Sequence, residues 1–200
     1  MNNELALRTI FIAVLLASIS IAFYHRYQTA KSGEKISRRE EGRLVLFARV
    51  IGGLALWSSF LIYVISPAAM SWSTLSIPQE LRWIGAIFAV SSLPLLYWVM
   101  HSLGKNLTDT VVTRAEHTLV TTGPYRWVRH PFYTVVFSSL FSLSLVAANW
   151  LIGLLTLLML LVIMKRTDTE EAKLIERFGE AYRNYMQRTG RFLPRFGILK

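Results

Sequence analysis

FYTVVFSSLFSLSLVAANWLIGLLTLLMLLVIM, Phe132 to Met164, runs for 33 residues without a formal charge. As one helix it would be about 50 Å long, against a hydrocarbon core of about 30 Å. That is too long for a single upright crossing. Ala147-Ala148-Asn149-Trp150 lies near its middle and offers a polar turn residue and an interfacial aromatic. The run therefore reads as a hairpin of two short or tilted helices.

Working upstream, three more apolar runs each suit one crossing. Thr9 to Tyr24 extends to Leu5 if Arg8 snorkels, Leu44 to Ser66 is interrupted only by Arg49, and Trp83 to Leu103 carries only His101. The predicted fold is all-α: a polytopic integral membrane protein with five transmembrane helices, the last two a hairpin, followed by cytosolic amphipathic helices. Composition agrees, with 200 residues, 53% hydrophobic, 17% charged and a mean hydropathy of +0.40. Such a chain is too apolar for an ordinary soluble domain. The length suits a single domain, residues 1–200, without repeats or linkers.

The net charge of +10 records orientation and headgroup contact rather than nucleic-acid binding. Six lysines and arginines fall in His25 to Arg43, four in Gly104 to Pro131 and nine in Lys165 to Lys200. Arg8 and Arg82 fall on the opposite side, and Arg49 within a span. Five crossings then put the N-terminus outside and the C-terminus in the cytosol. The first segment lacks a clear small-x-small cleavage site and reads as an uncleaved anchor. In the second span, Ala48 with Gly52 and Ala55 with Ser59 place small residues four apart, a pattern that permits close helix packing.

Cysteine is absent, so disulfides, thiolate nucleophiles and Cys-ligated metals are excluded. The four histidines, His25, His101, His117 and His130, lack paired metal-ligand spacing, and no metal is expected. His25 reads as a loop residue and His101 as an interfacial one. No GxGxxG, Walker or GxSxG pattern is present.

The polar knot lies at Gly123-Pro124-Tyr125-Arg126-Trp127-Val128-Arg129-His130-Pro131-Phe132-Tyr133. Gly-Pro turns the chain, Pro131 begins the next helix, and His130 falls in its N-cap region. These residue types also suit a membrane-interface anchor, which composition alone favours. Beyond the hairpin, Leu174, Phe178, Tyr182 and Tyr185 recur at mostly four-residue steps. The last span is therefore expected to continue as an amphipathic helix. Arg166 and Glu170, four apart, share one of its faces, where a surface ion pair is the simplest account.

His117-Thr118-Leu119-Val120, Gly123-Pro124-Tyr125 and Arg129-His130-Pro131-Phe132-Tyr133, with Glu170-Glu171, Phe178-Gly179, Tyr182, Tyr185 and Arg191-Phe192-Leu193-Pro194, form two ordered blocks around the hairpin. In these blocks the last half of the chain resembles the isoprenylcysteine carboxyl methyltransferase family. The resemblance implies an integral membrane enzyme that transfers a methyl group from S-adenosyl-L-methionine to a lipophilic acceptor, typically the carboxylate of a prenylated cysteine. It implies a cytosol-facing cofactor pocket beneath the last helices. His117, Thr118, Leu119, Val120, Tyr125, His130, Pro131, Phe132, Tyr133 and Glu170 would surround the cofactor there. Arg166 would hold the acceptor carboxylate, with Glu170 orienting it or binding a polar group of the cofactor. Arg129 would orient the turn.

Residues 104–200 would then be the cofactor-binding and catalytic portion, and residues 1–103 three helices with a basic cytosolic loop at 25–43. At Gly104-Lys105-Asn106-Leu107-Thr108 this chain has Leu107 where many relatives carry an aromatic residue, a departure that bears on the acceptor. The wider superfamily also includes phospholipid methyltransferases and, in part, NADPH-dependent sterol reductases. A small thiol or amine acceptor, a reductase and a non-enzymatic scaffold are the competing readings. The expected partners are the lipophilic substrate and membrane lipids, without nucleic acid.

Overall fold

A computed structural model describes residues 2–30, 43–104 and 118–195. Six α-helices appear among them: α1 Asn2–Ala30, α2 Arg43–Ile65, α3 Gln79–Leu103, α4 Pro131–Val146, α5 Trp150–Phe178 and α6 Glu180–Arg188. Short 3-10 segments occupy Pro67–Ser73 and Gly123–Arg126, and no strand longer than an isolated bridge is present among the described residues.

Among the described residues four helices are long and apolar enough to cross a bilayer: Asn3–Thr29, Arg43–Ile65, Gln79–Leu103 and Trp150–Phe178. The apolar side chains they expose, such as Leu44, Phe47, Leu54 and Leu61 of α2, belong against lipid. The protein is thus an integral, multi-pass membrane protein. The 16 residues of α4 span about 24 Å, less than the hydrocarbon thickness. Its two ends nevertheless lie beside both ends of α3, with Val146 at Arg82 and Phe132 at Leu96 and Met100. The five-crossing expectation thus rests on four helices by length and on α4 by its end-to-end position.

The expected turn lies where the sequence put it. Ala148 takes a positive φ of 47°, and the Asn149 side chain caps α5 by accepting from the Ile152 N–H at 3.2 Å. The Asn149 amide also donates to the buried Ser73 hydroxyl at 2.7 Å, and the Leu75 N–H donates to the Ala148 carbonyl at 2.6 Å. The hairpin tip is thereby tied to the α2–α3 connection.

Two arginines complete this charge-poor end. Arg8 of α1 donates to the Val64 carbonyl at the end of α2, and Arg82 of α3 donates to the Val146 carbonyl at the end of α4. Arg82 also pairs with Glu4. Each cation meets helix C-terminal carbonyls that have no intrahelical partner. In lipid, where apolar burial does little to drive association, such polar ties matter more.

Small residues set the closest helix contact. A Cβ placed on Gly85 of α3 would come within 2.9 Å of the Ser142 carbonyl oxygen of α4, and Ala86, Ala89 and Ser92 continue a buried face. Gly52 of α2 packs against α5, where an added Cβ would lie 2.6 Å from the Met159 sulfur. Leu7, Phe11 and Val14 make α1 part of the core, with the Phe11 ring 5.6 Å from Phe60 and 4.8 Å from Tyr63.

One expectation changes. His25 is not in a loop, because α1 continues to Ala30, and it lies buried with its ring 5.2 Å from that of Tyr97. The expected amphipathic helices after the last apolar run are the C-terminal part of α5 and α6, divided at Gly179 with φ +53°.

Replacing Asn149 by Ala removes the α5 cap and the bond to Ser73. The expected loss is about 1–2 kcal/mol, read as a lower thermal midpoint in detergent. Ser73→Ala, which leaves the cap in place, should shift the midpoint less.

Candidate functional site

The charge-rich end is assembled from three stretches: the 118–131 connection, the C-terminal half of α5 with α6, and the segment 189–195. Gly123 turns the first with φ +58°, and an added Cβ would meet the Ser102 hydroxyl at 2.7 Å. Glycine is therefore required there both for its backbone and for space. The Tyr125 carbonyl accepts from the Tyr185 hydroxyl of α6 at 2.6 Å.

A main-chain strap holds the next residues. The Gly190 N–H donates to the Trp127 carbonyl at 3.2 Å, the Arg129 N–H to Gly190 at 2.8 Å, and the His130 N–H to Arg191 at 3.0 Å. The Thr134 hydroxyl donates to the Phe192 carbonyl at 2.7 Å.

Glu171 of α5 is the electrostatic centre of this strap. Its Oε1 accepts from Arg129 Nε at 2.8 Å and from His130 Nε2 at 3.2 Å, and its Oε2 lies 3.7 Å from Arg191 Nε. Arg129 also donates to the carbonyls of Thr189 at 2.6 Å and Met186 at 3.2 Å, at the end of α6. His130 does fall at the N-cap position of α4, but its side chain makes no cap bond and turns to Glu171 instead.

The neighbouring acid, Glu170, points elsewhere, because successive helical residues differ by about 100°. The Tyr133 hydroxyl donates to Glu170 Oε2 at 3.4 Å and accepts from Arg166 Nη1. Arg166 is only 6% exposed. The structure thus brings Tyr133, Arg166 and Glu170 together and sets His130 one layer away, its ring stacked 5.9 Å from that of Tyr133. The simple surface pair considered for Arg166 and Glu170 is instead a largely buried triad with an aromatic hydroxyl.

Tyr125 lies buried within electrostatic range of Glu170, and burial, the Glu170 charge and Tyr185 all push its phenol above the ordinary range. Tyr182 and Tyr185 are likewise raised, chiefly by burial. All three stay neutral at physiological pH.

The remaining expected residues are less concentrated. Thr118 is exposed, while Leu119 and Val120 are half-buried in the extended segment before the turn. Pro131 is buried at the first turn of α4, and Phe132 packs toward Leu96 and Met100 of α3. His117 and Lys105 to Thr108 lie outside the described residues, as does most of the basic loop at 25–43. Among the described residues no cluster of His, Asp and Glu suited to a metal is found.

Glu171 and Arg191 were not singled out as site residues from the sequence. One signal was available: Thr167, Glu171, Leu174 and Phe178 fall on one helical face at steps of four, three and four. An acid on a face otherwise destined for burial needs cationic partners.

Glu171→Ala should leave several donors without their shared acceptor and cost about 3–5 kcal/mol, whereas Glu170→Ala should cost much less. Thermal unfolding in detergent compares the two. Equal midpoints would show that Glu171 does not hold the strap.

Residues 84–176 match the model of the isoprenylcysteine carboxyl methyltransferase family. The mouse protein-S-isoprenylcysteine O-methyltransferase is 31% identical over 122 residues, covering 58% of this chain and 43% of the mouse protein. The Saccharomyces cerevisiae protein of that name is 34% identical over 101 residues, covering 48% and 41%, and the Dictyostelium discoideum protein 31% over 125 residues, covering 58% and 50%. The matched stretch thus spans about half or less of these relatives. The solved structure of the eukaryotic intramembrane Ras methyltransferase ICMT shares the fold, with a TM-score of 0.56 and 22% identity, covering 92% of this chain and 67% of that one. The chain is thus similar to the isoprenylcysteine carboxyl methyltransferase family over residues 84–176, somewhat less than half of its length.

Proposed function

We propose that the protein transfers the methyl group of S-adenosyl-L-methionine to the carboxylate of a lipophilic acceptor, a prenylated cysteine or a similar isoprenoid thioether acid. The observation that carries this reading is the buried Arg166 beside Tyr133 and Glu170 at the charge-rich end of a membrane bundle. The matches to protein-S-isoprenylcysteine O-methyltransferases support it.

The residues present suit the cofactor. Glu170 is a carboxylate for its cationic groups, and Tyr125, Tyr133 and His130 offer aromatic surface. The extended segment Thr118 to Val120 offers backbone donors and acceptors, and Pro131 and Phe132 shape the wall at the start of α4. His117 joins this set by its place in the sequence. S-adenosyl-L-methionine, when bound, supplies a methyl group made electrophilic by its sulfonium.

An acceptor carboxylate with an ordinary pKa of about 3.5 is already ionised at neutral pH. This chain therefore needs no general base for it. What its residues contribute is placement. Arg166 grips one edge of the carboxylate and leaves an oxygen lone pair free to attack, Tyr133 and Glu170 fix the guanidinium, and burial excludes water.

Residues 104–200 carry this chemistry, and the three helices within 1–103 form the scaffold. All lysines and arginines other than Arg8, Arg49 and Arg82 fall in His25 to Arg43, Gly104 to Pro131 and Lys165 to Lys200, outside the uninterrupted apolar runs, which supports a cytosolic C-terminus and active site with the N-terminus outside.

Two measurements on the detergent-purified protein test the reading. S-adenosylhomocysteine should bind saturably in preference to NADPH, and Tyr125→Ala should weaken that binding by about tenfold or more. Preference for NADPH would favour a reductase, and no binding of either a scaffold. Arg166→Ala should lower methyl transfer to a farnesylated thioether acid by at least about a hundredfold while S-adenosylhomocysteine affinity changes less than about twofold. Wild-type turnover in that variant would remove the carboxylate assignment.

A further inference from the structure

Of the 22 lysines and arginines, Arg8 and Arg82 alone fall at the charge-poor end, and both line one cavity there. It has a volume of about 500 Å³ and lies between the start of α1, the α2–α3 connection and the hairpin tip. That size suits a small ligand or a headgroup. Membrane orientation disfavours arginine at this end, so the meeting of both in one cavity calls for a reason beyond topology.

Helix capping accounts for Arg82 and only in part for Arg8. Arg82 donates from Nε and Nη2 to the Val146 carbonyl at 3.1 and 3.0 Å, and from Nη1 and Nη2 to the two oxygens of Glu4. Arg8 donates from Nη2 alone, to the carbonyls of Val64 and Ile65. Its Nε and Nη1 have no partner among the described residues. Glu4 is the one acid lining the cavity, and Arg82 occupies both of its oxygens. The described side chains of the cavity therefore leave the charge of Arg8 uncompensated.

The surroundings indicate which anion fits. Leu5, Met70, Leu75 and Ile77 give the cavity apolar wall, and Leu5 and Leu75 are exposed. Trp72 of the Pro67–Ser73 segment and Trp150 at the start of α5 are also exposed, their rings edge to face at 5.5 Å. Exposed tryptophans at the ends of spans mark the depth of phospholipid headgroups. An anion at that depth, with apolar surface beside it, is a phosphodiester that carries acyl chains. A zwitterionic head would bring an ammonium that Glu4, held at both oxygens by Arg82, is not free to pair.

We propose that this cavity binds the headgroup of a monoanionic phospholipid such as phosphatidylglycerol, and that Arg8 holds the phosphate. A lipid seated there meets α1, the α2–α3 connection and the hairpin tip at once, and stabilises the folded bundle by mass action. The proposal is independent of the methyl-transfer reading. The competing role for Arg8 is capping of α2 alone.

The test is equilibrium binding to the full chain in detergent, with dioctanoylphosphatidylglycerol, dioctanoylphosphatidylcholine and the chain-free headgroup glycerophosphoglycerol as probes. The wild type should bind the anionic lipid about tenfold more tightly than the zwitterionic one, and the chain-free headgroup at least about tenfold more weakly than the anionic lipid. Arg8→Gln should reduce the preference between the two lipids to about twofold or less. Arg183→Gln, on α6 at the charge-rich end, should keep it. A preference kept in Arg8→Gln, lost in Arg183→Gln or absent from the wild type overturns the proposal. Equal affinity for the chain-free headgroup also overturns it, because the site would then take a soluble phosphodiester. If Arg8→Gln fails to fold, Leu75→Glu decides by the same ratio. Its carboxylate would stand in the cavity wall with Arg8 and the Val64 bond intact, so a lost preference supports the proposal and a kept one overturns it.

Discussion

One buried carboxylate decides the geometry of the charge-rich end. Glu171 receives Arg129 and His130 from the connection before α4 and faces Arg191 of the segment after α6. Without it, the cationic groups would repel one another in a region of low polarity. With it, the backbone strap between residues 127–130 and 190–191 can close. That strap fixes the start of α4 and therefore the position of Tyr133. The arrangement of Tyr133 with Arg166 and Glu170 follows from a neighbouring cluster in which His130 alone also belongs to the proposed cofactor site.

The opposite end is fastened by different means. There the polar groups are helix ends, and Arg8, Arg82 and Asn149 satisfy backbone carbonyls and a buried hydroxyl. Phe11, Phe60 and Tyr63 fill the space between α1 and α2. Side-chain packing and satisfied backbone groups are the main cohesive terms available to a bundle in lipid. The charge-poor end is thus bound tightly by backbone capping, and the charge-rich end by ion pairs whose side chains also reach the candidate site.

The fold was legible where the physics is local. The length of the charge-free run excluded one crossing, and Asn149 marked its turn because a single polar side chain there can cap the following helix. Arg166 and Glu170 could be placed together because a four-residue step shares a face. Their joining through Tyr133 could not be read, since that residue approaches from another helix. Glu171 was harder still, because its partners Arg129 and Arg191 come from both sides of it in the chain and far from it. His25 was misplaced because a charged tract after Tyr24 resembles the end of a span, whereas α1 continues to Ala30. The candidate site residues came from resemblance, and their grouping into two clusters required the fold.

Two adjacent glutamates, each bound to a different cluster, separate stability from chemistry on one helix. An α-helix turns by about 100° per residue, so neighbours cannot both face the same ligand. Glu171, directed at the strap, can be fully neutralised without affecting the charge available at Tyr133. Glu170, directed at the other face, can respond to whatever binds there. A single acid shared by Arg129, Arg191 and Arg166 would force the strap to loosen whenever an anion entered the site. Dividing the task lets the scaffold around the Tyr133 cluster stay electrically satisfied by Glu171 whatever binds beside Glu170.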